Sequence, residues 1–216
     1  NEGISPQHNP EFTQIEGYWA YATIEDLMDH IENMLKRVID DVFDGQDILY
    51  RGESLSFETP LPRISFHDLM LSETGVDIDT VQTEAALIGE MKKLDVSTEG
   101  IIGYGELIDT LFKAKVRPNI VQPTFLTEYP SSMKPLAKRR ENPFYSASAQ
   151  LVISGLEVMN AFNEQNDPLE QEEQFDEQEA LREQGSHEAQ FIDRDYLKAL
   201  KHGMPPAAGY GIGIDR

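Results

Sequence analysis

Three stretches of this chain concentrate residue types that could do chemistry. Gly209, Gly211 and Gly213 alternate with other residues and are followed by Arg216. Alternating glycines let a backbone approach a ligand closely, and a terminal arginine adds a fixed planar cation, although glycines also serve simple bends. At the other end, Asn1-Glu2-Gly3 and His8-Asn9-Pro10-Glu11-Phe12-Thr13 form a polar run that leads into an aromatic residue. Such a run could hold a heterocyclic base and its phosphates, or be a polar turn before a strand. The third stretch, Leu156 to Glu164, sets Glu157, Asn160, Phe162 and Glu164 in an otherwise apolar, β-prone segment. Carboxylates there are costly unless paired, so a metal ion or an ammonium group belongs nearby, unless the segment is an edge strand with its charges in water.

The elements that must position these residues are legible from periodicity. Residues 12–22 read as a strand whose alternation puts Glu16, Tyr18 and Ala20 on one face and Ile15, Trp19 and Tyr21 on the other. From Ile24 to Phe43 the apolar residues recur at helical spacing, and Gly45 ends that helix. Residues 48–58 suggest a short hairpin around Gly52, residues 66–115 several helices, and Ile120 to Glu128 a buried strand. Leu151–Ile153 and Glu157–Phe162 read as a strand pair hinged at Ser154-Gly155, with Asn160, Phe162 and Glu164 on one face and Glu157 at the opposite parity. Asp167 can cap a helix that starts at Pro168 and runs to about Gln184. Its Glu and Gln content, with few apolar anchors, predicts a solvated helix. A last helix spans Asp193 to His202 and stops at Gly203. The class is α+β, an antiparallel sheet whose strands are separated by helical excursions.

Composition narrows the functions. The 216 residues carry a net charge of −21 and no cysteine, with 39% hydrophobic residues. Disulfides, zinc–thiolate sites and a cysteine nucleophile are excluded, and no stretch approaches the ~20 apolar residues of a membrane helix. An acidic balance argues against gripping phosphate backbones as this segment's main task. His30, His67, His187 and His202 show no ligand spacing and read as structural or surface residues.

Together the stretches resemble the lysyl-tRNA synthetases of class II. Asn-Glu-Gly with His-Asn-Pro-Glu-Phe-Thr is similar to the loop and second strand of that family's motif 2. Ile120–Pro143, with Gln-Pro-Thr-Phe-Leu-Thr-Glu-Tyr-Pro and Lys-Pro-Leu-Ala-Lys, resembles the middle segment. Glu157–Gln171 resembles the lysine-pocket strand and its following helix, and Gly203-Met204-Pro205-Pro206 to Gly213-Ile214-Asp215-Arg216 the start of motif 3. The resemblance implies one partial catalytic domain over residues 1–216, in a cytoplasmic homodimeric ligase that joins L-lysine to tRNA(Lys) using ATP and magnesium. It implies that Glu2, His8, Asn9, Phe12, Glu157 and Arg216 bind ATP, with Glu2 and Arg216 catalytic. The lysine substrate would lie among Glu16, Tyr18, Asn160, Phe162 and Glu164, and magnesium on Glu157 with Gln150.

The resemblance has two departures. The motif 2 arginine that binds the α-phosphate in the family would stand just ahead of Asn1. The dimer-forming motif 1 and the anticodon-binding barrel that grips tRNA are likewise not among these residues, so a fragment poor at activating lysine alone is expected. Where the family has a second magnesium carboxylate, this chain has Gln150, whose amide supplies no charge. Two further readings remain open: a paralogue that ligates lysine to a protein, and a silent domain that senses lysine or scaffolds a partner.

Overall fold

The computed structural model describes residues 9–186 and 189–216. The order of elements is β1 (Gln14–Ala20), α1 (Ile24–Phe43), β2 (Ile48–Tyr50), β3 (Glu53–Leu55), β4 (Arg63–Ser65), α2 (Phe66–Thr74), α3 (Glu84–Lys93), α4 (Tyr104–Lys115), β5 (Thr124–Thr127), β6 (Ser148–Ile153), β7 (Leu156–Asn163), α5 (Pro168–Glu183), α6 (Arg194–Leu200) and β8 (Ala207–Gly213). Six strands form one sheet in the order β1-β8-β7-β6-β5-β4, and β2 and β3 make a separate hairpin. The main sheet is antiparallel except at its β4–β5 edge, which is parallel. None of the helices among the described residues is long and apolar enough to cross a membrane.

Helix α1 forms where its sequence periodicity places it. Thr23 caps it in a capping box with Asp26, and Asp44 closes it in the left-handed region. Its apolar stripe of Leu27, Met28 and Ile31 packs on one face of the sheet against Leu151, Met159, Ala161, Ala208 and Ile212. On the opposite face, α2, α3 and α4 build a second core with Leu126, Val152 and Tyr129. That core covers the β4–β6 end of the face and leaves the β7, β8 and β1 end to polar residues, glycines and the Phe162 ring.

Three sequence expectations need correction. Gly209 to Gly213 form no bend: they lie in β8, which is paired to β1 on one side and β7 on the other. Glycine disfavours strands in isolation, but here both neighbours satisfy the backbone, and the missing side chains make room for theirs. Helix α5 is not merely solvated, because Gln171, Gln174, Phe175 and Gln178 are buried. Amides can line a buried face when they find backbone partners: Gln174 Nε2 donates to the Ala137 carbonyl at 3.0 Å, and Gln178 Oε1 accepts from the Gln190 N–H at 3.1 Å. Finally, strict alternation misplaces Glu157. The β6–β7 register shifts between Leu151, opposite Met159, and Val152, opposite Glu157. The extra residue, Val158, is a β-bulge, and it turns Glu157 to the face that carries Asn160.

Removing the Thr23 hydroxyl (Thr23→Ala) is expected to cost about 1 kcal/mol of stability. Truncating the fully buried Ile31 to alanine is expected to cost about 2–5 kcal/mol. Urea midpoints of the two variants would separate the cap from the sheet-facing stripe.

Candidate active site

The register lines up side chains in rows across the open face. One row runs Ser148, Phe162, Gly209, Tyr18, and the next runs Leu126, Gln150, Asn160, Gly211, Glu16. Neighbouring strands lie ~4.8 Å apart, so the side chains of β1 and β7 face each other across β8 at roughly 10 Å. Because β8 presents glycine at both crossings, the result is a slot with a backbone floor. The floor cannot be filled: a Cβ on Gly209 would run into Glu164 Oε1 and come within 2.8 Å of the Tyr18 ring. A Cβ on Gly211 would meet Gln14 Nε2 at 2.6 Å.

At one end the slot is anionic. Glu164 follows directly on β7, where its N–H donates to the Ala207 carbonyl at 2.9 Å and so holds the carboxylate over Gly209. Burial raises its pKa. Glu16 stands on the β1 side and accepts from Gln14 Nε2 at 2.7 Å. Tyr18 lies between the two: burial, then Glu164, then Glu16 push its pKa up. Among the described residues neither glutamate makes a salt bridge. Two carboxylates with a phenol between them, one partly desolvated and neither ion-paired, suit a compact cation with several N–H donors. Tyr196 of α6 also faces this end, its pKa raised by burial and then by Glu164. Nothing in the local sequence of α6 points to this, since its placement depends on α6 packing on α5 through Phe175 (ring centroids 6.4 Å apart).

The other end is a hydrogen-bond network tied to the core. Tyr129 is fully buried, with its ring 4.8 Å from that of Phe66, and its hydroxyl donates to Gln150 Oε1 at 2.5 Å. The Gln150 amide nitrogen donates to Glu157 Oε2 at 2.6 Å and to Asn160 Oδ1 at 2.7 Å, and Asn160 Nδ2 donates to Glu157 Oε1. Lys134, which the sequence reading did not single out, donates from Nζ to Asn160 Oδ1 at 3.1 Å. Its ammonium stands 5.2 Å from the Tyr129 ring centroid and 5.9 Å from that of Phe162. Burial lowers its pKa, and Glu157 opposes that shift.

This network bears on the magnesium expected at Glu157 and Gln150. A hard cation needs oxygen ligands turned toward it. Here the Gln150 oxygen is turned to Tyr129 and its N–H groups toward Glu157, and the opposite amide orientation would set oxygen against carboxylate. Both Glu157 oxygens already accept from amides. One carboxylate, one reversed amide and a neighbouring ammonium do not fit as a ligand set for a divalent ion.

The structure thus brings Glu16, Tyr18, Asn160, Phe162 and Glu164 to one slot, with Glu157 joined to it through the bulge. Arg216 reaches the far end, where Nη1 donates to the Glu157 carbonyl at 2.6 Å. Phe12 and Asn9 precede β1 and are exposed, Phe12 at 61%. Glu2 and His8 lie outside the described residues. Away from the slot, His67 gathers Asp68, Asp77 and Asp79 within 3.1–3.7 Å, a cluster in which these groups pair with one another.

The family model described as tRNA synthetases class II (D, K and N) matches residues 1–216. The lysine--tRNA ligase of Carboxydothermus hydrogenoformans is 43% identical over 217 residues, which cover 100% of this chain and 44% of that protein. Those of Porphyromonas gingivalis and Staphylococcus epidermidis are 42% and 40% identical, again over the whole chain and over 37% and 44% of their own lengths. The chain therefore spans less than half the length of these curated relatives.

The burial of Glu164 makes a signed prediction. A carboxyl whose folded pKa is raised above its unfolded value destabilises the fold once pH exceeds the unfolded value, and costs nothing well below it. Glu164→Gln is therefore expected to raise the Tm of the ligand-free protein near pH 7. The gain should shrink as pH falls toward the ordinary glutamate value of 4.5, which a pH series of thermal melts would check.

Proposed function

The chain belongs to the class II tRNA synthetases of the D, K and N group, and from that premise we propose that it forms the lysine-activating site of a lysine–tRNA ligase. The observation that supports this reading most is the anionic end of the slot, where Glu16 and Glu164 flank Tyr18 above the glycine floor. A lysine ammonium brings one positive charge and three donors, which match two carboxylates and a phenol oxygen. Phe162, opposite Gly209, offers a flat wall for the alkyl stem. An aspartate side chain would be repelled here, and asparagine would leave two carboxylates without a counter-charge.

In the reaction we infer, the lysine carboxylate attacks the α-phosphorus of ATP in line. A new oxygen–phosphorus bond forms, the bond to the β-phosphate oxygen breaks, and pyrophosphate leaves. The 3′-terminal ribose hydroxyl of tRNA(Lys) then attacks the lysyl carbonyl, and AMP departs with the bonding electrons. No side chain becomes covalently attached. The residues act by position and charge: Glu16 and Glu164 hold the ammonium, Asn160 orients the polar end of the amino acid, and Arg216 and Phe12 take opposite faces of adenine, with Glu2, His8 and Asn9 completing the nucleotide contacts. The whole protein would work in the cytoplasm as a homodimer, with tRNA held mainly by another domain.

ATP–pyrophosphate exchange on the full-length protein tests this. Lysine should support exchange, and Glu164→Gln should lower lysine-dependent kcat/KM by about a hundredfold or more while eroding the preference for lysine over ornithine. Exchange that is unchanged in rate and selectivity would remove Glu164 from the pocket and the reading with it.

A further inference from the structure

At the network end of the slot the charges balance within the protein. Paired carboxylates at positions 150 and 157 would carry two negative charges and call for a divalent ion, as the family resemblance implies. This chain instead places the neutral Gln150 beside Glu157 and turns the amide N–H groups into the site. The missing negative charge is matched by a cation of the right valence: Lys134, whose Nζ lies 3.1 Å from Asn160 Oδ1.

We propose that Lys134 takes the place of a protein-anchored metal ion here, so that its ammonium, and not a divalent cation bridging positions 150 and 157, meets the triphosphate of the nucleotide. The inference rests on the ATP-dependent reading above. Three observations carry it. The ammonium is seated between the Tyr129 and Phe162 rings, a contact that favours a cation and orients it. It makes no contact salt bridge among the described residues, and of its three N–H donors Asn160 takes one, so two remain for phosphate oxygens. Finally, Arg216 is bonded to the Glu157 carbonyl, so two protein cations flank Glu157 where a phosphate chain between the lysine slot and an adenine near Phe12 would run. The reversed amide of Gln150 and the ammonium of Lys134 form one arrangement: each is unfavourable for a bound metal, and together with Glu157 they close the charge without one.

The experiment uses full-length protein, the β,γ-methylene analogue of ATP, and Mn2+ as the metal reporter. Lys134→Met should weaken analogue binding about ten- to hundredfold, the loss expected for one charge-assisted contact, and Lys134→Arg should recover most of it. Electron paramagnetic resonance of the ternary complex should count one Mn2+ fewer per site in the wild type than in the double variant Lys134→Ser, Gln150→Glu. Gln150→Glu alone, with Lys134 retained to pair with the new carboxylate, should gain no Mn2+. Unchanged analogue affinity in Lys134→Met, or equal Mn2+ counts in wild type and double variant, would overturn the proposal. Should Lys134→Met fail to fold by circular dichroism, the Mn2+ counts of the wild type, Gln150→Glu and the double variant still decide. Normal analogue binding without lysine-dependent pyrophosphate exchange would sink the ligase reading alone, whereas normal exchange with indifferent Lys134 variants would sink this inference alone.

Discussion

The Glu164 carboxylate lies where the side chain of residue 209 would be if that residue were anything but glycine. This steric substitution organises the rest of the face. With no Cβ on β8, the carboxylate settles onto the backbone beside the Tyr18 ring, loses part of its hydration, and is left with an elevated pKa and no salt bridge among the described residues. Such a group costs stability until a cation arrives, a trade common at binding sites. The surrounding architecture keeps it from relaxing. Helix α1 packs the opposite face through Ala208, Ile212, Met159 and Ala161, which hold β7 and β8 in register.

The slot is electrically divided along its length. At the Gly209 row, Glu164 and the Tyr18 phenol, with Glu16 one row away on β1, create a field for an ammonium. On the β6–β7 side, around Gln150 and Asn160, the groups are amides, the Glu157 carboxylate and the resident cations Lys134 and Arg216. Lysine, the substrate proposed above, has a cationic side-chain tip at one end and its carboxylate at the other, which is the order this division suits. The far network is rigid because it is rooted in the second core: Phe66 packs on Tyr129, Tyr129 fixes the Gln150 amide, and Gln150 fixes Glu157 and Asn160. The packing of α2 to α4 thus reaches the chemistry through a single buried phenol.

How much of this was legible beforehand depended on whether the cause was local. Helix α1 runs Ile24–Phe43 as its periodicity implied, because its cap and its stripe both lie within the segment. The β6–β7 pair and its turn at Ser154-Gly155 were equally local. Strand β8 was missed because glycine alternation signals nothing by itself: its reason lies in Tyr18 and Glu164, which are distant in sequence. Glu157 was set on the wrong face because a bulge at Val158 breaks the period of two that alternation assumes. The buried glutamines of α5 read as a wet face because polarity, and not the backbone partners offered by a remote loop, is what a sequence displays. Lys134 gave no signal because it sits beside a turn, and only the fold brings it to Asn160. The slot residues Glu16, Tyr18, Asn160, Phe162 and Glu164 were named through the family resemblance and parity, and parity sufficed wherever no bulge intervened.

The account turns on an ammonium–carboxylate contact above a glycine floor, and norleucine isolates that contact because it keeps the alkyl stem and lacks the ammonium group. Calorimetric titration of the full-length protein with lysine and with norleucine, each in the presence of the β,γ-methylene analogue of ATP, is the most direct measurement. The account predicts that lysine binds and that norleucine binds more weakly by about three orders of magnitude, since it would leave two carboxylates, the partly desolvated Glu164 among them, without a counter-charge. Norleucine binding within a few-fold of lysine would contradict it.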